Sequence, residues 1–313
     1  MRRRSSLTAA LSLHKVAVAG DNDFQRRARL IQALWREEQG LPIGLRSSKG
    51  PEPLGSRLAM PFARETLANY LTETIREIVR GEVLDRVKST DKLYGKPRIF
   101  EDLLSSQPLC FNLFGELQRD LSLASAALGP LTDGRLTRVT AIDFEHSPGR
   151  GDPRFTGDGS AFDVFIQFEG PRGTGFLGIE VKYHEDLENR AGKHYPRYDE
   201  IADQMDAFAP DCRKPLRQKP LQQIWRDHLL AGSLFLDRPS SYDDGAFVFL
   251  YPAQNLACAD AIAEYAACLT SKESLIVWTL EEVVATLRAA TGAAWVEAVA
   301  DRYLGFHRLE GLV

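Results

Sequence analysis

The sequence predicts an α/β protein in which a mixed β-sheet is flanked by helices. Short runs of alternating β-branched and aromatic residues, bounded by Gly/Pro turns, are typical of strands, and runs with apolar side chains at helical spacing are typical of helices. In the middle of the chain these patterns follow one another in the order α-β-β-β-α-β. That order is typical of a mixed sheet with helices packed on it.

Length and charge restrict the class of protein. The 313 residues can bury a substantial core, and 44% hydrophobic and 26% charged residues are ordinary for a soluble globular chain. The net charge of −4 provides no overall positive field, so any nucleic-acid surface must be local. The four scattered cysteines lack metal-ligand spacing and indicate reduced thiols in a cytoplasmic protein. No stretch is long and apolar enough to span a bilayer, so no membrane association is expected.

The N-terminal part is predicted to be helical after a loosely ordered start. Residues 1–22 carry a short apolar run that a basic pair interrupts, so we expect a disordered or loosely ordered N-terminus rather than a signal peptide. Residues 23–98 form the predicted helical N-terminal region. It contains a helix at 24–39, a loop at 47–57 and one or two amphipathic helices at 62–88.

Residues 99–252 form the predicted core, and residues 253–313 extend the same domain as a C-terminal α/β extension. The predicted core elements are a mainly helical segment at 99–127, strands at 135–146, 161–169 and 176–185, a helix at 220–236 and a strand at 245–252. A polar and basic stretch separates the third strand from the second helix.

The turn between the second and third strands brings two carboxylates together. The strands on either side of Pro171-Arg172 should pair as a hairpin. Folding the chain there places Asp163 opposite Glu180, with Cβ atoms roughly 5 Å apart, whereas a one-residue bulge would place it opposite Val181. Two facing carboxylates repel, which either raises a pKa or requires a cation between them. Hard oxygen ligands of this kind suit Mg²⁺.

Lys182 follows Glu180 on the same face of the strand, because side chains alternate. It is close enough to hold or polarise a metal-activated water and to stabilise developing negative charge. The alternative is a solvated sheet face that carries a cross-strand charge cluster. That alternative explains Lys182, but it gives no reason for Asp163 to face Glu180.

A carboxylate on one strand and Glu-X-Lys on the next resembles the PD-(D/E)XK phosphodiesterase superfamily, the restriction-endonuclease-like nucleases. The resemblance implies an αβββαβ core with Asp163 on its second strand and Glu180-Val181-Lys182 on its third. Phe162 stands where the named motif has proline, which superfamily members often lack. An uncharacterised bacterial family regarded as restriction endonucleases is also similar, through the blocks "RRARLIQALWREEQGLPIG", "LLSSQPLCFNLFGEL", "FLGIEVKYHED" and "LQQIWRDHLLAGSLF".

The resemblance implies metal-dependent hydrolysis of DNA phosphodiester bonds by a catalytic core at 99–252. Asp163 and Glu180 would hold Mg²⁺, for which Mn²⁺ would substitute, with the Val181 backbone carbonyl as a further ligand. Lys182 would position the attacking water. The expected partner is double-stranded DNA, and a homodimer is left open.

Four further side chains are candidates for supporting roles. The resemblance implies a metal-binding or water-orienting Glu on the helix before the first strand, where Glu116 lies. It also implies a Gln at the start of the helix after the third strand, where Gln222 and Gln223 lie, although only one of these can point inward. Glu145 ends the first strand; it could hold a second metal, position Lys182, or simply cap the strand.

Basic residues in loops beside the catalytic strands are the candidates for phosphate contacts. They are Arg150, Arg154, Arg190, Lys193, Arg213, Lys214, Arg217 and Lys219. Short basic runs are more often solvent-exposed without a ligand, and the net negative charge of the chain also argues against a large nucleic-acid surface.

Two other functions compete with a DNA endonuclease. The first is a nuclease of the same fold that acts on RNA or on single strands, and no recognition module in the sequence decides between these substrates. The second is a catalytically silent nuclease fold that serves as a binding or scaffold protein. A nucleotide-driven motor is not indicated, because no GxxxxGK[ST] loop occurs.

Overall fold

The computed structural model of the chain describes residues 2–47, 50–236 and 242–311, with side chains from residue 6 onward. The α-helices are α1 (Arg2–Leu13), α2 (Asp23–Glu38), α3 (Phe62–Thr66), α4 (Glu73–Val79), α5 (Arg98–Glu101), α6 (Ser106–Arg119), α7 (Leu121–Leu128), α8 (Pro196–Met205), α9 (Arg213–Leu216), α10 (Leu221–Leu236), α11 (Leu256–Ala267), α12 (Leu280–Ala290) and α13 (Ala294–Tyr303). The strands are β1 (Ile43–Leu45), β2 (Pro53–Leu58), β3 (Arg138–His146), β4 (Phe162–Gly170), β5 (Gly173–Val181), β6 (Asp244–Tyr251) and β7 (Leu275–Thr279). Within these described ranges, no helix has the length and apolar character needed to cross a membrane.

A five-stranded mixed sheet forms the centre of the fold, in the spatial order β3-β4-β5-β6-β7. β3, β4 and β5 pair antiparallel, whereas β5, β6 and β7 pair in parallel. β5 is therefore the strand at which the antiparallel and parallel halves of the sheet meet. The predicted α/β class, the mixed sheet and the order α-β-β-β-α-β, formed by α6, β3, β4, β5, α10 and β6, are confirmed.

Helices cover both faces of this sheet. Successive side chains of a strand point to opposite faces, so Val164 and Ile179 join one core with α2, α6, α7, α12 and α13. Phe165 and Phe176 join a second core with α8, α10 and α11. Every residue of β6 is buried, as expected for a parallel strand covered on both sides.

Residues 1–22, for which the sequence predicts a loosely ordered segment, are helical in part. Residues 2–13 form α1, and Leu11 is buried in the core that α2 shares. The loop after α1 is also tied to β2, because Gly55 N–H donates to the Lys15 carbonyl at 2.9 Å. These contacts come from residues distant in sequence, so the local pattern does not reveal them.

The loop predicted at 47–57 contains most of strand β2, which pairs antiparallel with β1 just before that loop. Residues 48 and 49 of that loop lie outside the described residues. β2 packs on α2, where Arg36 Nε donates to the Gly55 carbonyl at 2.9 Å. Strands of this length are too short for an alternating pattern to predict them.

Two other segments are divided more finely than predicted. The one or two helices expected at 62–88 are α3 and α4, and a π-helical turn at Arg80–Leu84 contains Gly81 and ends the second of them. The polar and basic stretch between β5 and α10 contains α8 and α9.

A buried arginine joins the N-terminal and C-terminal regions. Arg302 of α13 has 0% exposure, and burial lowers its pKa. Its guanidinium donates to Gln32 Oε1 at 3.1 Å and to the Asn69 carbonyl at 2.7 Å. Its Cζ lies 4.0 Å from the centroid of the Trp35 ring. Neutral acceptors and an aromatic face therefore replace the water that this cation loses.

Replacing Arg302 with methionine is expected to lower the free energy of unfolding by about 2–4 kcal/mol, because buried acceptors on Gln32 and Asn69 lose their donor. Urea unfolding followed by circular dichroism measures the change. Arg288→Met is the matched control, since Arg288 pairs with Glu297 at the surface and its loss should shift the midpoint little. Equal midpoints for the two variants would contradict the role given to Arg302.

Candidate active site

The hairpin of β4 and β5 brings Asp163 alongside Glu180. The observed ladder ends at the pair Val164–Ile179. Continued by one residue, this register places Asp163 opposite Glu180, as predicted without a bulge. Asp163 Oδ2 accepts a hydrogen bond of 2.9 Å from Val181 N–H. This bond holds the carboxylate at the start of β4 against the backbone of β5.

Glu180, Lys182 and Gln223 form a buried polar cluster on the face of the sheet that α10 covers. Lys182 Nζ lies 2.5 Å from Glu180 Oε1, and Gln223 Nε2 donates to the same oxygen at 2.9 Å. Glu180 is 7% exposed and Lys182 is 6% exposed. The attraction between buried charges offsets their desolvation only when further hydrogen bonds satisfy them, and Gln223 supplies one such bond.

Negative charge accumulates around this cluster. Burial, together with Glu180, raises the pKa of Asp163 well above its usual range. For Lys182, burial alone would lower the pKa, but Glu180 and Glu185 outweigh it and the pKa is raised. The raised pKa favours the protonated form of Lys182 at neutral pH, in which its ammonium group is a positive charge and a hydrogen-bond donor.

A cavity of about 440 Å³ lies beside Glu180. Its lining combines carboxylates with cations and polar groups, including Glu145, Glu180, Asp227, Gln223, Lys193 and Arg226. Asp163 and Lys182 are not among the residues that line it; Lys182 contacts the cavity residue Glu180, and Asp163 contacts the backbone of Val181 next to Glu180. The volume lies within the range of pockets that bind small ligands or part of a larger substrate.

Glu145, near the end of β3, lines this cavity in an unusual backbone conformation. Its φ of 48° lies in the left-handed region, which residues other than glycine seldom adopt and which costs of order 1–3 kcal/mol. Arg150 Nη2 donates to its carboxylate at 2.7 Å. Burial raises the pKa of Glu145, although Arg150 acts to lower it. The structure therefore brings Glu145, one of the predicted supporting residues, into the same cavity as Glu180.

Asp227, which sequence reasoning missed, is buried in the wall of the cavity. It lies on α10 four residues after Gln223, the spacing that puts two side chains on one helix face. Asp227 is 3% exposed, and its Oδ1 lies 3.7 Å from Arg226 Nε. Burial, and then Glu180, raise the pKa of Asp227 to about 8. Its spacing from Gln223 is the signal that could have identified it.

Two of the predicted supporting residues make contacts outside the cavity. Gln222 holds the backbone of Gly192, whose N–H donates to Oε1 at 2.6 Å and whose carbonyl accepts from Nε2 at 2.9 Å. Glu116 on α6 accepts a hydrogen bond of 2.5 Å from the hydroxyl of Thr72, at the N-terminus of α4. Neither residue belongs to the cavity lining in the described part of the chain.

The basic residues predicted to contact nucleic acid are divided between the cavity and the outer surface. Arg150 and Lys193 line the cavity. Four others pair with acidic neighbours at the surface, namely Arg154 with Asp152, Arg213 with Asp203, Arg217 with Asp199 and Lys219 with Glu188. Arg190 and Lys214 are exposed. Surface ion pairs are weak, so a phosphate could compete for these cations.

The hairpin offers oxygen donors for a divalent cation. Asp163 and Glu180 supply carboxylates, and the Val181 carbonyl points to the same side of β5 as the N–H that contacts Asp163. Among the described residues, His, Cys, Asp and Glu side chains form no group of three or more that could hold a metal. Two carboxylates and a carbonyl are oxygen donors of the kind that suit Mg²⁺, which is commonly held by one or two carboxylates while waters and phosphate complete its shell.

Comparison with known proteins agrees with this architecture. A helix-flanked mixed sheet that carries Asp on one strand and Glu-X-Lys on the next defines a class of nucleases, and the sequence matches the family model for the PD-(D/E)XK nuclease superfamily over residues 19–305. The chain belongs to the PD-(D/E)XK nuclease superfamily. No curated protein and no solved structure matches it at a significant level.

Gln222→Ala is expected to loosen the segment around Gly192, because both hydrogen bonds to that backbone are lost. Trypsin cleavage after Arg190 and Lys193 should become about tenfold faster, corresponding to about 1–2 kcal/mol of local stability. Mass spectrometry of the digest measures this rate. Gln223→Ala is the matched control and should leave the rate unchanged; similar acceleration in both variants would show that the bonds to Gly192 are not what holds the segment.

The raised pKa of Asp227 predicts a pH-dependent stability. In the unfolded chain this carboxyl ionises near pH 4, whereas in the folded protein it ionises at about 8. The folded state therefore binds the proton more tightly; this stabilisation is fully present below about pH 4 and is lost progressively as the pH rises to about 8. In metal-free buffer, the melting temperature of Asp227→Asn should rise relative to that of wild type as the pH increases. A difference that stays constant with pH would contradict the shifted pKa.

Proposed function

We propose that the chain is a metal-dependent endonuclease that hydrolyses DNA phosphodiester bonds in the cytoplasm, with Asp163, Glu180 and Lys182 as its site. The observation that carries this proposal is the contact of Asp163 with Val181 N–H beside the buried pair of Glu180 and Lys182. It joins a carboxylate on one strand to Glu-X-Lys on the next. These are residue types that can bind a hard cation and stabilise an attacking water.

The metal ligands in this proposal are Asp163, Glu180 and the Val181 carbonyl, which would hold Mg²⁺ or Mn²⁺. Once bound, the cation would polarise the phosphodiester and offset its negative charge. The electrostatics of the hairpin support such a ligand set. The proximity of Glu180 helps to raise the pKa of Asp163, and two carboxylates in this arrangement are stabilised by a cation between them.

Lys182 would orient the attacking water and stabilise the negative charge that develops on the phosphate. Its ammonium group is buried and stays protonated, because the neighbouring carboxylates raise its pKa. In that form it donates hydrogen bonds, and the proton of the attacking water would pass to solvent or to a phosphate oxygen. Gln223, which donates to Glu180 at 2.9 Å, would keep that carboxylate in place while Lys182 acts.

The tyrosines of the cavity favour duplex DNA over single strands as the substrate. Proteins that bind single strands without sequence preference use exposed aromatic rings on which bases stack. Here Lys193 Nζ lies 5.0 Å from the centroid of the Tyr195 ring. Tyr198 is 1% exposed, and its hydroxyl bonds to Asp158 at 2.5 Å. Tyr198 is thus buried within the protein and the half-buried Tyr195 ring lies against Lys193, whereas Arg226 lines the cavity as a cation for phosphate contacts.

Lys182→Ala and Asp163→Ala are each expected to lower the rate of Mg²⁺-dependent plasmid cleavage by about 10²–10³-fold, because each removes a group that stabilises the transition state. Gel electrophoresis of nicked and linear products measures the rate, and EDTA should abolish it. Lys272→Ala, at an exposed lysine outside the cavity lining, is the matched control and should cleave like wild type. Cleavage that survives both site substitutions would refute the assignment.

The same assay separates this function from its alternatives when linear duplex, single-stranded DNA and RNA are compared with plasmid. A preference for RNA or single strands would assign the chain to a nuclease of that specificity with the same site. If folded wild-type protein cleaves none of them with Mg²⁺ or Mn²⁺, the chain is better described as a silent binding or scaffold protein.

A further inference from the structure

A segment without helix or strand, residues 85–97, lies beside the cavity. Leu93 of this segment lines the cavity, and its backbone N–H acts as a hydrogen-bond donor to the Glu145 carboxylate. Arg150, another residue of the lining, also fixes the segment, because its Nε donates to the Asp91 carbonyl at 2.7 Å. The segment, which we call the rim, is therefore attached to residues of the cavity itself.

Contacts with the neighbouring helical region also hold the rim in place. Lys96 Nζ donates to the Val83 carbonyl at 2.9 Å, and Gly95 N–H donates to Gln107 Oε1 at 2.9 Å. These bonds, like those to the cavity residues, use the backbone of the rim and the side chains of other residues. They fix the position of Leu93 without engaging its side chain.

The Leu93 side chain is 63% exposed. Among the exposed large apolar side chains in the part of the chain that the structure describes, it is the one that belongs to the cavity lining. Gly159 lies next to it, since a Cβ added there would be 4.0 Å from Leu93 Cδ1, and this glycine has no side chain to cover the leucine. Removing apolar surface from water is favourable, so a molecule that enters the cavity gains affinity by covering Leu93.

The rim is basic, although the chain as a whole is acidic. Residues 85–97 contain four basic and two acidic side chains, whereas the net charge of the chain is −4. Lys92 is paired with Glu82, and Arg86 and Lys88 are exposed. Exposed cations grouped on one segment attract a polyanion. The rim therefore combines an apolar contact at the cavity with positive charge outside it.

We propose that the rim binds duplex DNA, with the Leu93 side chain packed on sugars and bases while Arg86 and Lys88 contact phosphates. This inference rests on the proposed function, because it takes the cavity beside Glu180 as the place where a phosphodiester binds. Sugars and bases are the apolar surfaces that a duplex offers next to a phosphate, and leucine is one of the side chains that proteins place against bases. Phosphate contacts carry no sequence information, so Leu93 is the residue of the rim that contacts the bases.

Fluorescence anisotropy of a short labelled DNA duplex measures these contacts without an activity measurement. Ca²⁺ takes the place of Mg²⁺ to limit cleavage, and a gel checks that the duplex stays intact. Leu93→Ala keeps the backbone N–H that acts on Glu145 and should weaken binding about five- to tenfold at every salt concentration. Leu256→Ala is the matched control, because it removes a leucine that is 67% exposed outside the cavity lining, and it should bind like wild type.

Lys88→Ala is expected to change the salt dependence instead. The slope of the logarithm of the binding constant against the logarithm of the salt concentration should decrease in magnitude by about one, because one lost phosphate contact releases about one counterion fewer. Lys272→Ala removes an exposed lysine outside the cavity lining and should leave the slope unchanged. The same slope in Lys88→Ala and wild type would overturn the phosphate contact of Lys88.

The outcomes distinguish the rim from the function on which it rests. Equal duplex affinities of Leu93→Ala and Leu256→Ala would overturn the role of Leu93, and the nuclease would still stand if wild type cleaves plasmid and Asp163→Ala does not. Conversely, duplex binding that depends on Leu93 in a protein that cleaves no nucleic acid would support the rim and overturn the nuclease. Tighter binding of an RNA duplex would overturn DNA as the partner. Equal melting temperatures of Leu93→Ala and wild type exclude unfolding as the cause, because the side chain is exposed.

Discussion

The rest of the site depends on the buried contact between Lys182 and Glu180. Helices cover both faces of the sheet, so a charged pair on β5 has little water to solvate it and must be satisfied by neighbours. Lys182 and Gln223 both bond to one Glu180 oxygen. The pKa values of Glu145 and Asp227 are both raised, by burial first and with a contribution from Glu180, so these carboxylates belong to the same electrostatic environment.

The chain that follows β5 is anchored by elements from both ends of the sequence. Gln25 of α2 donates to the His184 carbonyl at 3.0 Å. Asn255, at the start of α11, donates to the carbonyls of Tyr183 at 3.1 Å and Glu185 at 2.9 Å. The segment that carries Lys182 is therefore held by parts of the chain outside the αβββαβ core. This is a physical reason for the family match to extend over residues 19–305 rather than over the core alone.

The sequence pattern around the β4–β5 turn was sufficient to predict the register of that hairpin. A short turn joins β4 to β5, so the register of Asp163 with Glu180 follows from counting residues on either side of it. For Asp227, the spacing from Gln223 indicates only that the two side chains share a helix face; whether that face meets the site depends on how α10 is rotated against the sheet. Helix α1 and the β1–β2 ladder likewise form through contacts with residues distant in sequence, including α2. A short stretch of sequence does not reveal such contacts.

β5 pairs with one strand that is close to it in the sequence, β4, and with one that is distant, β6. A short turn connects β4 to β5. The parallel pairing of β5 with β6 instead brings together Gly175 and Asp244, which a long segment of chain separates. Closing that segment costs more chain entropy, and such non-local pairing is slow. We therefore expect the β3-β4-β5 meander to form before β6 and α10 dock. Asp163 and Glu180 would then meet while still hydrated, and dehydration of the charges would be a late step of folding. Pulse-labelled hydrogen exchange would detect this order as earlier protection of β4 amides than of β6 amides.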